Sequence, residues 1–251
     1  MSRFIDKLKQ ASGGGQPMGF RAATAAASKP RLLLVAAVAQ ADAEHLAGTV
    51  AGADAGLLAM TKLSSGAKAL QQAAKAVPGI PWGGWLKEVG REGVGKVAAD
   101  FIVFTAERTL LAMLDDKGPG KILEVEHSLE PGLLKAADDL PVDAVFVTAG
   151  DEPLLTWRDL MLFRRCANIL SKPLLVSVPP QVTTAELGAL WQAGVRGVVV
   201  KAGTEERVAE IRQMLDRLPS PTAGKKTKAG PLLPRIGGEI GTVSEEEEDW
   251  L

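Results

Sequence analysis

The sequence predicts a (β/α)8 TIM-barrel-like fold, and three observations carry that prediction. Short apolar runs alternate with helical stretches from residue 31 to residue 218. The turns leading into several of those runs share one pattern. The chain has 251 residues, and such a barrel needs about 250 and can be shorter.

The clear strands are LLLVAAV (32–38), GLLAM (56–60), FIVFT (101–105), KILEVE (121–126), AVFVT (144–148), LLVSV (174–178) and GVVVK (197–201). Each is a near-continuous apolar run, as expected of a parallel sheet with both faces covered. Helices are expected over 42–51, 66–76, 88–99, 130–138, 156–170, 184–193 and 204–217. IPWGGWL (80–86) stands where a third strand is needed to make eight. Its proline and two glycines make it a poor strand. The expected barrel is therefore closed or partly open, with any irregularity or opening near the third strand.

The repeated turns are GADAGLLAM (52–60), PVDAVFVTA (141–149) and GVRGVVVKA (194–202). Each has a helix-stopping Gly or Pro, a polar residue two places later, a small residue and then the strand. Similar units in series indicate one βα element used many times. The GADA and AGVRGVVV turns look like those of phosphate-binding TIM barrels. That favours a barrel over its main competitor, an open doubly wound sheet.

Three regions are expected. Residues 1–28 form an amphipathic helix and a flexible linker. Residues 29–218 form the barrel, and residues 219–251 a disordered acidic tail. In MSRFIDKLKQ (1–10) the residues Phe4, Ile5 and Leu8 share one helical face. That face suits either a partner's groove or the floor of the barrel itself. SGGGQP (12–17) reads as linker. After residue 218 no element-length period persists, and SEEEED (244–249) is a solvated acidic run.

Composition excludes several classes of function. With 29 basic and 30 acidic residues the net charge is −1, which gives no whole-molecule attraction to nucleic acid or an anionic membrane. The charge collects in the tails: residues 1–31 carry six basic side chains against Asp6 alone. One cysteine, Cys166, precludes an intrachain disulfide and fits a reducing cytoplasm. Two histidines rule out a His-rich metal site. No apolar run approaches the ~20 residues of a membrane span, and the run at 32–39 starts too late and is too short for an ordinary secretory signal. No cofactor is expected.

Chemistry in such a fold sits at the C-terminal ends of the strands. Alternation turns Ile122, Glu124 and Glu126 inward and leaves Leu123 and Val125 to the helices. Glu124 could pair with Lys201 as a purely structural ion pair. Three functional readings stand beside that one. Glu124, Glu126, His127 and Asp151 could hold a hard divalent ion. Lys201 could act as a nucleophile, with Glu124 or Glu126 moving protons. The eighth loop, KAGTEERV (201–208), could bind an anion through Gly203 and Thr204 at a helix start, with Thr183 and Thr184 at the neighbouring one. The departures from a phosphate-binding pattern are a seventh loop without glycine and the carboxylates Glu205 and Glu206. Cys166 reads as a small core residue. Trp82 and Trp85 read as cover for a gap in the barrel or as a pocket wall.

The stretches ILEVEHSLEPGLLKAADDLPVDAVFV (122–147), KPLLVSVP (172–179) and LLPRIGGEIGTVSEEEE (232–248) resemble an uncharacterised bacterial family of TIM-barrel-like proteins. The resemblance implies a barrel in a bacterial cytoplasm and brings no activity with it. The functional expectation is a small phosphorylated or anionic metabolite bound at the C-terminal rim. The alternative is a non-enzymatic interaction or assembly protein, meeting another protein or another copy of itself through its termini.

Overall fold

The computed structural model describes residues 2–13, 32–39, 46–60, 63–86, 98–112, 118–126, 129–148, 153–203 and 205–219. Eight parallel strands close into a barrel in sequence order. They are β1 (Leu33–Val38), β2 (Ala55–Met60), β3 (Trp82–Leu86), β4 (Phe101–Thr105), β5 (Gly120–Glu126), β6 (Ala144–Thr148), β7 (Leu174–Val178) and β8 (Gly197–Lys201). The helices are α1 (Arg3–Ala11), α2 (Leu46–Thr49), α3 (Leu63–Ala76), α4 (Pro131–Asp139), α5 (Trp157–Ile169), α6 (Thr184–Gln192) and α7 (Glu205–Asp216). The helix expected over 88–99 falls largely outside the described residues, as do the linker at 14–31 and the tail from 220 onward. By backbone contacts, Met1–Pro221 is one compact unit. Among the described residues no helix is long and apolar enough to cross a membrane.

Of the closed and partly open forms expected, the barrel takes the closed one, and it closes through its third strand. β3 pairs with β2 from Gly56↔Trp82 to Met60↔Leu86 and with β4 from Gly83↔Phe101 to Leu86↔Phe104. The glycines that weaken the strand signal serve packing. A Cβ on Gly83 would lie 2.3 Å from the ring of Phe101, and one on Gly84 would lie 2.2 Å from Cε of Met60. Large neighbours fill the space that these two residues leave, so the strand lacks side chains of its own without lacking packing.

Strand alternation divides the apolar residues into two cores. Leu34, Ala36, Leu58, Leu123, Val125, Val145, Val176 and Val198 face the helices. Leu33, Val35, Leu57, Phe101, Val103, Ile122, Phe146, Leu175 and Val199 fill the barrel. Strand β5 therefore has the predicted parity, with Ile122 inside and Leu123 and Val125 outside.

Of the two readings open for the first helix, the structure takes the barrel floor. Phe4, Ile5 and Leu8 join the interior core, and the rings of Phe4 and Phe101 lie 4.5 Å apart. Gly120 makes room for this plug, since a Cβ there would lie 2.4 Å from Cγ1 of Ile5. Asp100 anchors it, accepting hydrogen bonds from Ser2 Oγ (2.7 Å), Arg3 N (2.8 Å) and Phe4 N (2.9 Å). A carboxylate at a helix start satisfies free N–H groups and suits the helix dipole. The apolar face of α1 is consumed inside the fold and is not presented to a partner.

The repeated turns occupy one structural position at the bottom of the barrel. The backbone N–H of Asp54, Asp143 and Arg196 donates to Leu34 O, Lys121 O and Leu174 O respectively, each on the neighbouring strand. The two aspartates also accept in return, Asp54 from Leu34 N (3.0 Å) and Asp143 from Lys121 N (3.0 Å). The polar residue of each repeat thus ties adjacent strands together at their N-terminal ends. That is a structural role, on the face opposite the one where chemistry is expected.

Candidate functional site

The barrel interior is apolar from its floor to the level of Phe146 and Val199, and polar side chains begin above it. Thr105 of β4, Glu124 and Glu126 of β5, Thr148 of β6, Ser177 of β7 and Lys201 of β8 follow the inward alternation of their strands at the C-terminal end. Registers set their neighbours: Thr105 is opposite Glu124, and Glu126 is opposite Thr148. The Oγ1 of Thr105 is buried and has no hydrogen-bond partner. A buried hydroxyl in that state forgoes roughly 1–3 kcal/mol unless water or a ligand meets it.

Glu124 is held by an aromatic side chain. The Nε1–H of Trp85 donates to Glu124 Oε2 at 2.6 Å. The indole in turn stands edge-on to the buried ring of Phe146, 5.5 Å away at 79°, a favoured aromatic geometry. Trp85 therefore lines the mouth, while Trp82 is buried on the helix-facing side and donates to Val77 O at 3.1 Å. The two tryptophans, so similar in sequence, have different jobs. The role of Trp85 was legible only as one of two alternatives.

Lys201 ends β8 with its side chain exposed. It lies three strands round the barrel from β5, and no ion pair joins it to Glu124. Beside Lys201 the inner wall is low: its register partner on β1 is Ala37, and Ala59 has the corresponding inward parity on β2. The inward side chains of the strands are thus large at Trp85 and Phe146 and small at Ala37 and Ala59.

Gly203 follows β8, exposed and with open space where a Cβ would stand. Thr204, His127 and Asp151 lie outside the described residues. Among the described residues no cluster of three or more His, Cys, Asp or Glu could hold a metal ion. Thr183 and Thr184 start α6, where Thr183 is the N-cap. Its N–H and Oγ1 donate to Glu186 Oε2 at 2.7 and 2.8 Å, and its Oγ1 accepts from Glu186 N at 3.3 Å. This capping box already places a carboxylate at the helix start.

Arg207 is a residue that sequence reasoning passed over. From the first turns of α7 it reaches back to the seventh loop, donating to Pro180 O and, at 3.1 Å, to Val182 O. It also pairs with Glu210 at 2.7 Å. It thereby fixes the spacing between the starts of α6 and α7. The only advance signal was an arginine one turn into a helix that follows a strand.

The same architecture occurs in the tryptophan synthase alpha-subunit of the hyperthermophile Pyrococcus furiosus. One mutant of that subunit matches with a TM-score of 0.56 at 14% identity, over 74% of this chain and 97% of that one. A second mutant matches with a TM-score of 0.57 at 14% identity and the same coverage. A chain of the tryptophan synthase complex from the same organism gives 0.56 at 14%, over 75% of this chain and 94% of that one. At this identity the likeness is one of fold. No protein-family model matches the chain, and no curated protein does.

Proposed function

We propose that the protein binds a small anionic metabolite, phosphorylated in the first instance, at the C-terminal rim of its barrel. The observation that carries this reading is the confinement of inward-facing polar groups to that one end. They stand above a filled apolar interior whose other end is plugged by α1. A ligand of the barrel would enter at that end, where the groups that could recognise it are gathered.

In this reading the anionic end of the ligand lies on the side of Lys201. Lys201 would supply a cation and the loop at Gly203 and Thr204 backbone N–H groups, with Thr183 and Thr184 at the neighbouring helix start. Helix starts attract anions through free N–H groups and the helix dipole. The far end of the ligand meets Glu124 and Glu126. Carboxylates so placed suit proton transfer, with Lys201 as charge partner or as amine nucleophile if the ligand carries a carbonyl. Single-cysteine usage fits a cytoplasmic setting.

The test is thermal unfolding against phosphorylated metabolites, inorganic phosphate and sulfate. A ligand at 100 times its Kd stabilises by about 2.7 kcal/mol, which raises Tm by several degrees in a domain of this size, at roughly 2–4 °C per kcal/mol. The expected result is a rise with one phosphorylated compound that Lys201→Ala or Gly203→Val abolishes. A flat panel, or a rise indifferent to both variants, overturns the reading.

A further inference from the structure

Two helices on the outside of the barrel carry apolar surface that the fold leaves uncovered. Trp157, the first residue of α5, is 83% exposed, and Met161, one turn later on the same face, is 71% exposed. Leu154, just ahead of the helix, is also exposed. Beside Trp157 a cleft of about 290 Å3 runs between α5 and α6, its apolar walls formed by Leu155, Leu160, Ala185, Ala189 and Leu190.

An indole left almost wholly in water is unusual, and tryptophan is the residue most enriched where binding energy concentrates. We propose that this face is a two-fold interface between copies of the chain, in which the Trp157 of each copy seats in the α5–α6 cleft of the other. A two-fold contact uses the same patch twice, so the patch must carry both a projection and its receptacle. Here the projection, Trp157, forms one lip of the receptacle.

The charges of the patch are also self-complementary. Arg158, next to Trp157, is exposed, and Glu186 stands on the cleft lip contributed by α6. Glu186 uses Oε2 in its capping box and leaves its other oxygen for a cation. A two-fold axis through the patch brings Arg158 of one copy to Glu186 of the other, twice. Both walls are preformed, because Thr156 and Asp159 build the same capping box at α5 that Thr183 and Glu186 build at α6. Little ordering is therefore required on association.

The area is of the right order. Trp157, Met161 and Leu154 together expose roughly 400 Å2 of side chain, taking the usual size of an aromatic contribution. The cleft walls and a polar rim would complete the ~800 Å2 per partner of a stable interface. An exposed apolar patch of about this size is ordinary for a monomer and is often functional.

The experiment is sedimentation velocity of the full chain over a concentration series, with Trp157→Glu, Met161→Glu and Arg158→Glu alongside. The wild type should show a reversible monomer–dimer equilibrium. Trp157→Glu and Met161→Glu should sediment as monomers with an unchanged thermal midpoint, since both side chains lie in solvent in the single copy. Arg158→Glu should raise the dimer Kd about tenfold, because like charges then face each other. A wild type that stays monomeric at its highest soluble concentration overturns the proposal. A dimer that Trp157→Glu leaves intact overturns it as well, as does a monomer that takes a different protein on this face.

Discussion

Trp85 and Glu124 meet across an intervening strand, indole Nε1 to carboxylate Oε2, at 2.6 Å. This contact, rather than an ion pair with Lys201, orients the carboxylate at the barrel mouth. Trp85→Phe keeps a ring against Phe146 and removes the donor. A hydrogen bond to a charged group contributes about 1.5–3 kcal/mol, and the site is only half-buried, so a loss near the lower figure is expected in urea unfolding. Glu124→Gln keeps an acceptor and should cost less, about 1 kcal/mol, since charge-assisted bonds are roughly twice as strong as neutral ones. Lys201→Met should leave stability within about 0.5 kcal/mol, as at an ordinary surface position. A cost for Lys201→Met equal to that of Glu124→Gln would restore the ion pair.

The bottom of the barrel carries a buried ion pair. Asp54 is 7% exposed and accepts from Arg212 at 2.9 Å, a side chain itself only 12% exposed. The same oxygen receives the N–H of Leu34. Removing one member of a buried pair strands the other and typically costs 3–5 kcal/mol. Arg212→Ala should therefore cost about 3 kcal/mol, somewhat relieved by the remaining Leu34 N–H bond to Asp54. Asp54→Ala should cost more, because it also orphans a backbone donor. Equilibrium urea unfolding separates the two, and equal losses would mean that the Leu34 bond contributes nothing.

How much of this was legible in advance follows from what each feature depends on. Seven strands were readable because a covered parallel strand is an apolar run, a local property. The inward parity of Glu124 and Glu126 was readable because alternation has period two. β3 was legible only as a doubtful strand because its packing comes from Phe101 and Met60, side chains remote in sequence. The contact of Glu124 with Trp85 was not legible for a related reason: charge suggests Lys201, but barrel geometry puts β8 three strands away and β3 only two. Asp100, which caps α1 from 97 residues away, left no local signal. The Asp54 and Asp143 repeats were visible as a pattern, and only the pairing of neighbouring strands gave that pattern its meaning.

The two glycines of β3 should respond differently to the same substitution. In Gly83→Ala the new methyl would stand 2.3 Å from the ring of Phe101, which is buried and itself stacked on Phe4. The ring cannot yield without disturbing the α1 plug, so a cost of about 1–3 kcal/mol is expected, the range for overpacking. In Gly84→Ala the obstruction is Cε of Met60, the far end of an unbranched side chain that can rotate away. Its cost should stay below about 1 kcal/mol, and it is offset in part by the lower unfolded-state entropy of alanine. Thermal unfolding of the two variants decides the matter; a larger loss for Gly84→Ala would mean that Met60, not Phe101, is the rigid neighbour.

Cys166 gives the fold a predictable response to alkali. Burial pushes its thiol pKa up, against the smaller opposing effects of the Arg165 charge and a backbone hydrogen bond. The folded state therefore holds the thiol proton to higher pH than the unfolded chain, whose thiol titrates near 8.5. The stability this represents is fully present below about pH 8.5 and is lost as pH rises through the folded value. The chain has no tyrosine and one cysteine, and lysines titrate mainly above about pH 10. Between about pH 7.5 and 9.5, then, a falling urea midpoint should trace largely to this single thiol. Cys166→Ala should lose some packing at every pH but show a flatter midpoint over that window. An alkaline slope identical to the wild type would mean that the thiol ionises as easily inside the helix layer as in water.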